Sequence, residues 1–205
     1  MLTVGTLTQV EIHPGNERIV RHALQEAFSL VQQEPYTPAW VAVRQGSSTL
    51  SVFDAFPNET ARQTHLSDER HSERLARVNS LLTQPRTTEM LQILGAKLPA
   101  QGAPKNVTVG FLAHFEAKPG KEAECEQGLK GTLLAVQQLP ATTAWFGFRQ
   151  GPSTFGTLDL FLDEAGRIAH NQARWPHIQA IAPQLFMEGS LVIEKVDVLL
   201  AKFPG

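Results

Sequence analysis

The chain has 205 residues, 42% of them hydrophobic and 19% charged, the composition of an ordinary globular protein. A formal net charge of -2 with dispersed Lys and Arg gives no footprint for nucleic acid, and no apolar run is long enough to span a membrane. The single cysteine, Cys125, excludes an internal disulfide and a cysteine-based zinc site, and residues 1–10 show no secretory signal, so a cytoplasmic location is expected.

Residues 3–12 alternate in polarity and predict a first strand, with Val4, Val10 and Ile12 on one face and Leu7, Gln9 and Glu11 on the other. Pro14-Gly15 ends it. Ile19, Ala23, Ala27, Leu30 and Val31 then recur at helical spacing, so a first helix is expected to end near Pro35. Residues 40–44 and 50–56 are short runs rich in β-branched and aromatic side chains, and the intervening Gln45-Gly46-Ser47-Ser48-Thr49 reads as a hairpin loop. Asn58 is a good N-cap for a second helix reaching about Leu82, and a last strand is expected over residues 90–98.

The same order then repeats. Sliding the sequence by 105 positions places Trp40 on Trp145, Arg44-Gln45-Gly46 on Arg149-Gln150-Gly151, Asp54 on Asp159 and His65 on His170, without a gap. Roughly three positions in ten are identical, which reads as a tandem duplication of a whole domain. The expected organisation is α+β: a ferredoxin-like β-α-β-β-α-β repeat over residues 1–98, a Pro- and Gly-containing linker over 99–106, and a second repeat over 107–205. Pro176 and Pro183 are expected to kink or break the second copy's second helix. One face of each four-stranded sheet is left without helices and is mixed in polarity. Two such sheets facing one another around a partly wet cavity would suit it, in an intramolecular pseudo-dimer.

The order of Pro-Gly after strand one, a hairpin carrying Trp40 and Arg44, then Asp54-x-Phe56-x-x-Glu59 leading to His65, resembles the antibiotic biosynthesis monooxygenase-like group of dimeric α+β barrel proteins. The resemblance covers both halves. It implies a fused barrel and admits a cofactor-independent oxygenase acting on a phenolic or quinol-like small molecule, or a non-catalytic small-ligand-binding or stress-associated barrel. Haem-degrading members carry an Asn on the first strand and a Trp and His on the second helix. Here neither first strand holds an Asn and Trp175-Pro176-His177 occurs in one copy only, so haem is not expected.

Oxidising a phenol without a cofactor needs a base near its hydroxyl and an apolar pocket around it. His65 and His170, which occupy equivalent places in both copies, are the candidate catalytic residues; the alternative is a histidine that packs on the hairpin and bonds a backbone carbonyl. Trp40, Arg44, Asp54, His114, Trp145, Arg149 and Asp159 are candidate substrate-binding residues. Two of these types have a structural alternative: the tryptophans can fill the core, and Arg44 and Arg149 can neutralise Asp54, Asp159, Glu11 and Glu116 in a closed cluster. His65 and His71, six apart on one helix, are expected to point to different sides, and no metal or other cofactor is expected. A monomer or a homodimer is compatible with this plan.

Overall fold

A computed structural model describes residues 1–103 and 105–204, the side chains of residues 72, 74 and 75 excepted. Pro104 of the expected linker and the terminal Gly205 lie outside the described residues. The elements are β1 (Val4–Glu11), α1 (Glu17–Val31), β2 (Ala39–Gln45), β3 (Thr49–Phe56), α2 (Glu59–Leu66), α3 (Glu69–Val78) and β4 (Thr87–Lys97), followed by β5 (Val109–Glu116), α4 (Glu122–Gln137), β6 (Ala144–Gln150), β7 (Thr154–Phe161), α5 (Glu164–Leu185) and β8 (Val192–Lys202). The fold is α+β, and its eight strands form a closed antiparallel barrel in the order β1-β3-β2-β8-β5-β7-β6-β4. Each run of four strands therefore has the ferredoxin-like order, with the first strand between the third and the fourth.

Two compact units divide the chain, Met1–Met90 with Val198–Pro204 and Leu91–Asp197. In the first, β3 lies between β1 and β2, so that Asp54 is in register with Thr6 on one side and Trp40 on the other. Val10 of β1 and the following Ile12 pack on Val20 and Leu24 of α1 together with Leu199 of β8. In the second unit β7 lies between β5 and β6, and Asp159 is in register with Phe111 and Trp145. Its core is more aromatic: Phe115, Trp145, Phe155 and Phe186 cluster with Leu129 and Val136 of α4. Gly147 makes room for this packing, because a Cβ there would overlap the Trp145 indole.

The ends of β4 and β8 are anchored alike. Lys97 Nζ donates to the carbonyls of Val136 and Leu139 at 2.8 Å, and Lys202 Nζ to those of Val31 and Glu34 at 2.6 Å, so each lysine closes the C-terminal end of a helix where carbonyls lack partners.

The second helical segments differ from the expectation, and in the opposite sense. In the first unit the segment breaks into α2 and α3 at Ser67-Asp68, whereas α5 runs without interruption through Pro176 and Pro183. The cause is local. Asp68 turns its carboxylate onto the Arg70 backbone N–H at 2.9 Å and starts a new helix, while the second unit has Gln172-Ala173 at that place, side chains that favour helix continuation. Asn58 and Asp163 cap α2 and α5 as expected, accepting from the backbone N–H groups of Ala61 and Gly166.

Candidate functional sites

Each unit contains a cavity on the helix-bearing side of its strands. The sequence expectation had put the cavity between sheets; these two instead lie where helices cover β1 and β3, or β5 and β7. In the first unit the space is about 190 Å³, with Thr6, Thr8 and Val10 of β1, Val52 and Asp54 of β3, and Leu24 and Ala27 of α1 around it. Trp40, His65 and His71 also line it, as do Arg86 and Thr88. The second unit's cavity is about 100 Å³ and is lined by Phe111, Phe115, Trp145 and Phe186, with Asp159 and His170 at the wall.

Six of the nine residues singled out in the sequence thus line these cavities as equivalent pairs: Trp40 and Trp145, Asp54 and Asp159, His65 and His170. Arg44, Arg149 and His114 line neither. Arg149 bonds the carbonyls of Gly151 and Pro152, approaches Glu126 at 3.4 Å and lies over the Phe155 ring. Arg44 is in register with Leu50, at the other end of its strand from Trp40. His114 is exposed, its side chain alternating away from the cavity-lining Ala113 and Phe115. The expected Arg–Asp–Glu cluster does not form in the second unit: Glu116 accepts from Ser153 and Thr154, and Asp159 from Thr157.

In the first unit His65 sits between two carboxylates. Its Nδ1 is 2.8 Å from Glu34 Oε2 and its Nε2 is 3.7 Å from Asp54 Oδ1, beyond hydrogen-bonding reach. Asp54 Oδ2 accepts from Thr6, but Oδ1 is buried without a hydrogen-bond partner among the described residues. Glu34, buried itself, also receives the Thr37 hydroxyl at 2.7 Å and His71 Nε2 at 2.6 Å. His71 reaches it because the chain breaks at Ser67-Asp68, so the two imidazoles expected on different sides lie with ring centroids 4.5 Å apart.

Burial raises the pKa of Asp54, with the charge of His65 offsetting part of the rise. Burial also opposes ionisation of Glu34, but hydrogen bonds from His65, His71 and Thr37 outweigh it and hold that carboxyl well below its ordinary range. For His65, burial penalises the charged ring, yet the Glu34 hydrogen bond and the negative charges of Asp54 and Glu34 prevail and its pKa is raised.

The second unit keeps one carboxylate of the two. His170 Nε2 is 3.3 Å from Asp159 Oδ1 and its Nδ1 is 2.8 Å from the Thr142 hydroxyl. Leu139 and Pro176 stand where the first unit has Glu34 and His71. Burial lowers the His170 pKa, the Asp159 charge offsets part of that, and Arg174 and Lys97 add to the lowering. The Asp159 pKa is raised by burial. A phenylalanine packs on each histidine, Phe56 at 5.3 Å and Phe161 at 5.1 Å between centroids.

Sequence reasoning missed Glu34, Thr37, Thr142 and Arg174, and set His71 away from His65. Thr37 and Thr142 were open to discovery, being identical at the 105-residue offset. Glu34 carried a weaker signal, a carboxylate beside Pro35 where the twin has Leu139 beside Pro140.

No protein-family model matches the chain, and comparison with curated proteins gave no match. Solved structures are similar in fold. A proposed monooxygenase of Fusobacterium nucleatum superposes with a TM-score of 0.87 at 11% identity, covering 100% of this chain and 95% of that one. One of Lactobacillus acidophilus gives 0.84 at 11% identity over 100% and 98% of the two chains, and an anthrone oxidase-like protein gives 0.62 at 11% identity over 99% and 94%. The chain has the monooxygenase-like α+β barrel fold of these neighbours.

Proposed function

We propose that this chain, whose fold is that of the antibiotic biosynthesis monooxygenase-like barrels, oxidises a small phenolic or quinol-like molecule with O₂ and without a cofactor. One observation carries the reading: in each unit a buried Asp–His pair stands at the wall of a mainly apolar cavity. A substrate hydroxyl at that wall meets His65 Nε2 beside Asp54, or His170 Nε2 beside Asp159, and gives up its proton there. The electron-rich anion left in the apolar space then reacts with O₂. For a 1,4-hydroquinone the balance is C₆H₆O₂ + O₂ → C₆H₄O₃ + H₂O. One oxygen atom forms a new C–O bond and the other leaves as water. All four electrons come from the organic substrate, so no separate reductant is needed.

Cavity size narrows the substrate. A dry cavity of about 150 Å³ accommodates benzene. The 190 Å³ space of the first unit therefore admits one substituted ring, and the 100 Å³ space of the second requires side chains to shift slightly. Fused three-ring substrates exceed both as they stand.

Incubation with a panel of single-ring hydroquinones under ¹⁸O₂ tests the reading. Consumption of O₂ at one mole per mole of quinol, with one labelled oxygen in the product, is expected. Turnover that is no higher than in the His65→Ala, His170→Ala double variant would defeat it and leave ligand binding without catalysis.

A further inference from the structure

We propose that Glu34, His65 and His71 form a binding site for one divalent first-row transition-metal ion of the zinc class, present in the first unit and lost from the second. The inference goes beyond the proposed oxidation: in a metal-loaded first unit His65 Nε2 keeps its proton, and the base of that reaction is then His170 of the second unit.

The donor set comes first. One ring nitrogen from each of His65 and His71 and a Glu34 carboxylate oxygen all lie within 4.8 Å of one another, and the three residues form a compact, mostly buried group. A tetrahedral ion with bonds of about 2.1 Å holds its ligand atoms about 3.4 Å apart. His65 Nδ1 now stands 2.8 Å from Glu34 Oε2 and His71 Nε2 2.6 Å from Glu34 Oε1, shorter than that spacing, so the rings must draw back from the carboxylate to admit an ion. What holds the three atoms now is the pair of ring protons shared with Glu34, and an ion would take the place of those two protons. Two imidazole nitrogens and one carboxylate suit zinc-class ions and not calcium or magnesium, which prefer oxygen donors throughout.

The second observation is the unpartnered Asp54 Oδ1. An imidazole bound to metal through Nδ1 must carry its proton on Nε2. In His65 that nitrogen faces Asp54 Oδ1 at 3.7 Å, a buried oxygen that has no hydrogen-bond donor among the described residues. The arrangement is that of a carboxylate orienting a metal-bound histidine from behind. His65 and His71 both line the 190 Å³ cavity, which leaves a coordination position open on that side for water or a small anionic ligand. In the second unit the equivalent of Glu34 is Leu139 and that of His71 is Pro176, so two of the three ligands are gone.

Titration of the metal-stripped full-length chain with Co²⁺ tests this directly. The expected result is one ion per chain, visible bands of tetrahedral intensity, displacement by Zn²⁺, and a loss of affinity of at least about 100-fold in both Glu34→Gln and His71→Ala. His170→Ala should bind as the parent does. Should either ligand variant fail to fold, NMR of the parent protein serves instead: Co²⁺ must erase the ring signals of His65 and His71 while sparing His170 and His177. Absence of binding at submillimolar Co²⁺, affinity that survives both substitutions, or erasure of the His170 and His177 signals first would each overturn the site. Quinol turnover plays no part in these readouts, so failure of the metal site and failure of the oxidation remain distinguishable.

Discussion

The two units start from one pattern and end with opposite electrostatics. Both place a histidine from the second helical segment over an aspartate of the third strand, with a threonine from the loop before the second strand near its Nδ1. The first unit adds Glu34, which draws in His65, His71 and Thr37; the second has Leu139 there, and His170 is left with Asp159 on one side and the Thr142 hydroxyl on the other. The two buried histidines shift in opposite directions, upward for His65, where the Glu34 hydrogen bond and the charges of Asp54 and Glu34 outweigh burial, and downward for His170, where burial leads and Arg174 and Lys97 add to it. A near-identical backbone does not imply equivalent chemistry when one charged group in a desolvated site has changed.

The largest effect should come from erasing that difference. Glu34→Leu copies the second unit into the first and leaves the partners of a buried carboxylate unmatched. Breaking a buried ionic group in this way typically costs about 3–5 kcal/mol, readable as a lower urea midpoint. The same variant should lower the His65 pKa, which NMR titration of the ring protons measures. A His65 pKa that stays raised after loss of Glu34 would assign the shift to Asp54 and break the comparison as drawn.

A second test uses the lysines that anchor the last strands. Lys97→Met and Lys202→Met each remove two charge-assisted bonds to helix-terminal carbonyls, for an expected loss of about 1.5–3 kcal/mol. Lys202 bonds the backbone carbonyl of Glu34 itself, so its removal should also disturb the His65 ring signals. Lys97→Met should leave them unchanged. Equal perturbation of His65 by both variants would show that Lys202 has no local part in placing Glu34.

The pH dependence separates the histidines by sign. His65 binds its proton more tightly folded than unfolded, so its contribution to stability is complete below the ordinary histidine value and is lost as pH rises through its raised folded pKa. His170 binds its proton less tightly folded, so its contribution is present above the ordinary value and is lost as pH falls through its lowered folded pKa. Each slope is bounded by one proton, about 1.4 kcal/mol per pH unit. His65→Asn should flatten the stability profile on the alkaline side of that value and His170→Asn on the acid side. Both variants flattening the same side would contradict the opposed shifts.

Much of this architecture was legible in the letters because the two halves of the sequence repeat one pattern and each could be read against the other. Alternation in residues 3–12 and 109–116, the hairpins flanking Gly46 and Gly151, and the paired Asp54/Asp159 and His65/His170 all declared themselves twice. The parts that were not legible depend on single-copy residues and on tertiary placement. Position 34 reads simply as a helix-end glutamate until folding brings α2 and α3 against it. His71 was misplaced because six-residue spacing was read on one continuous helix, and Pro176 was expected to interrupt α5 because its ring lacks a donor. Both errors have one origin: a short-range side-chain cap at Asp68 ended a helix that a proline elsewhere did not. Likewise Arg44 and Arg149 shared a strand face with the aspartates in the alternation pattern, but strand register set them at the far end, which no periodicity could show.

The smallest expected effect tests that helix break. Replacing Ser67-Asp68 by Gln-Ala, the residues of the second unit, removes the cap at the start of α3, worth about 1 kcal/mol, and restores strong helix formers through the junction. The segment should then run on as α5 does and carry the His71 ring away from Glu34. The contact to follow is the nuclear Overhauser effect between the His65 and His71 rings, whose centroids are 4.5 Å apart in the parent protein. Loss of that signal with a drop in melting temperature of a few degrees would tie the position of His71 to the break itself. Persistence of the signal in a segment that has become continuously helical would mean that Glu34 alone holds His71 in place, with Asp68 acting only as a cap.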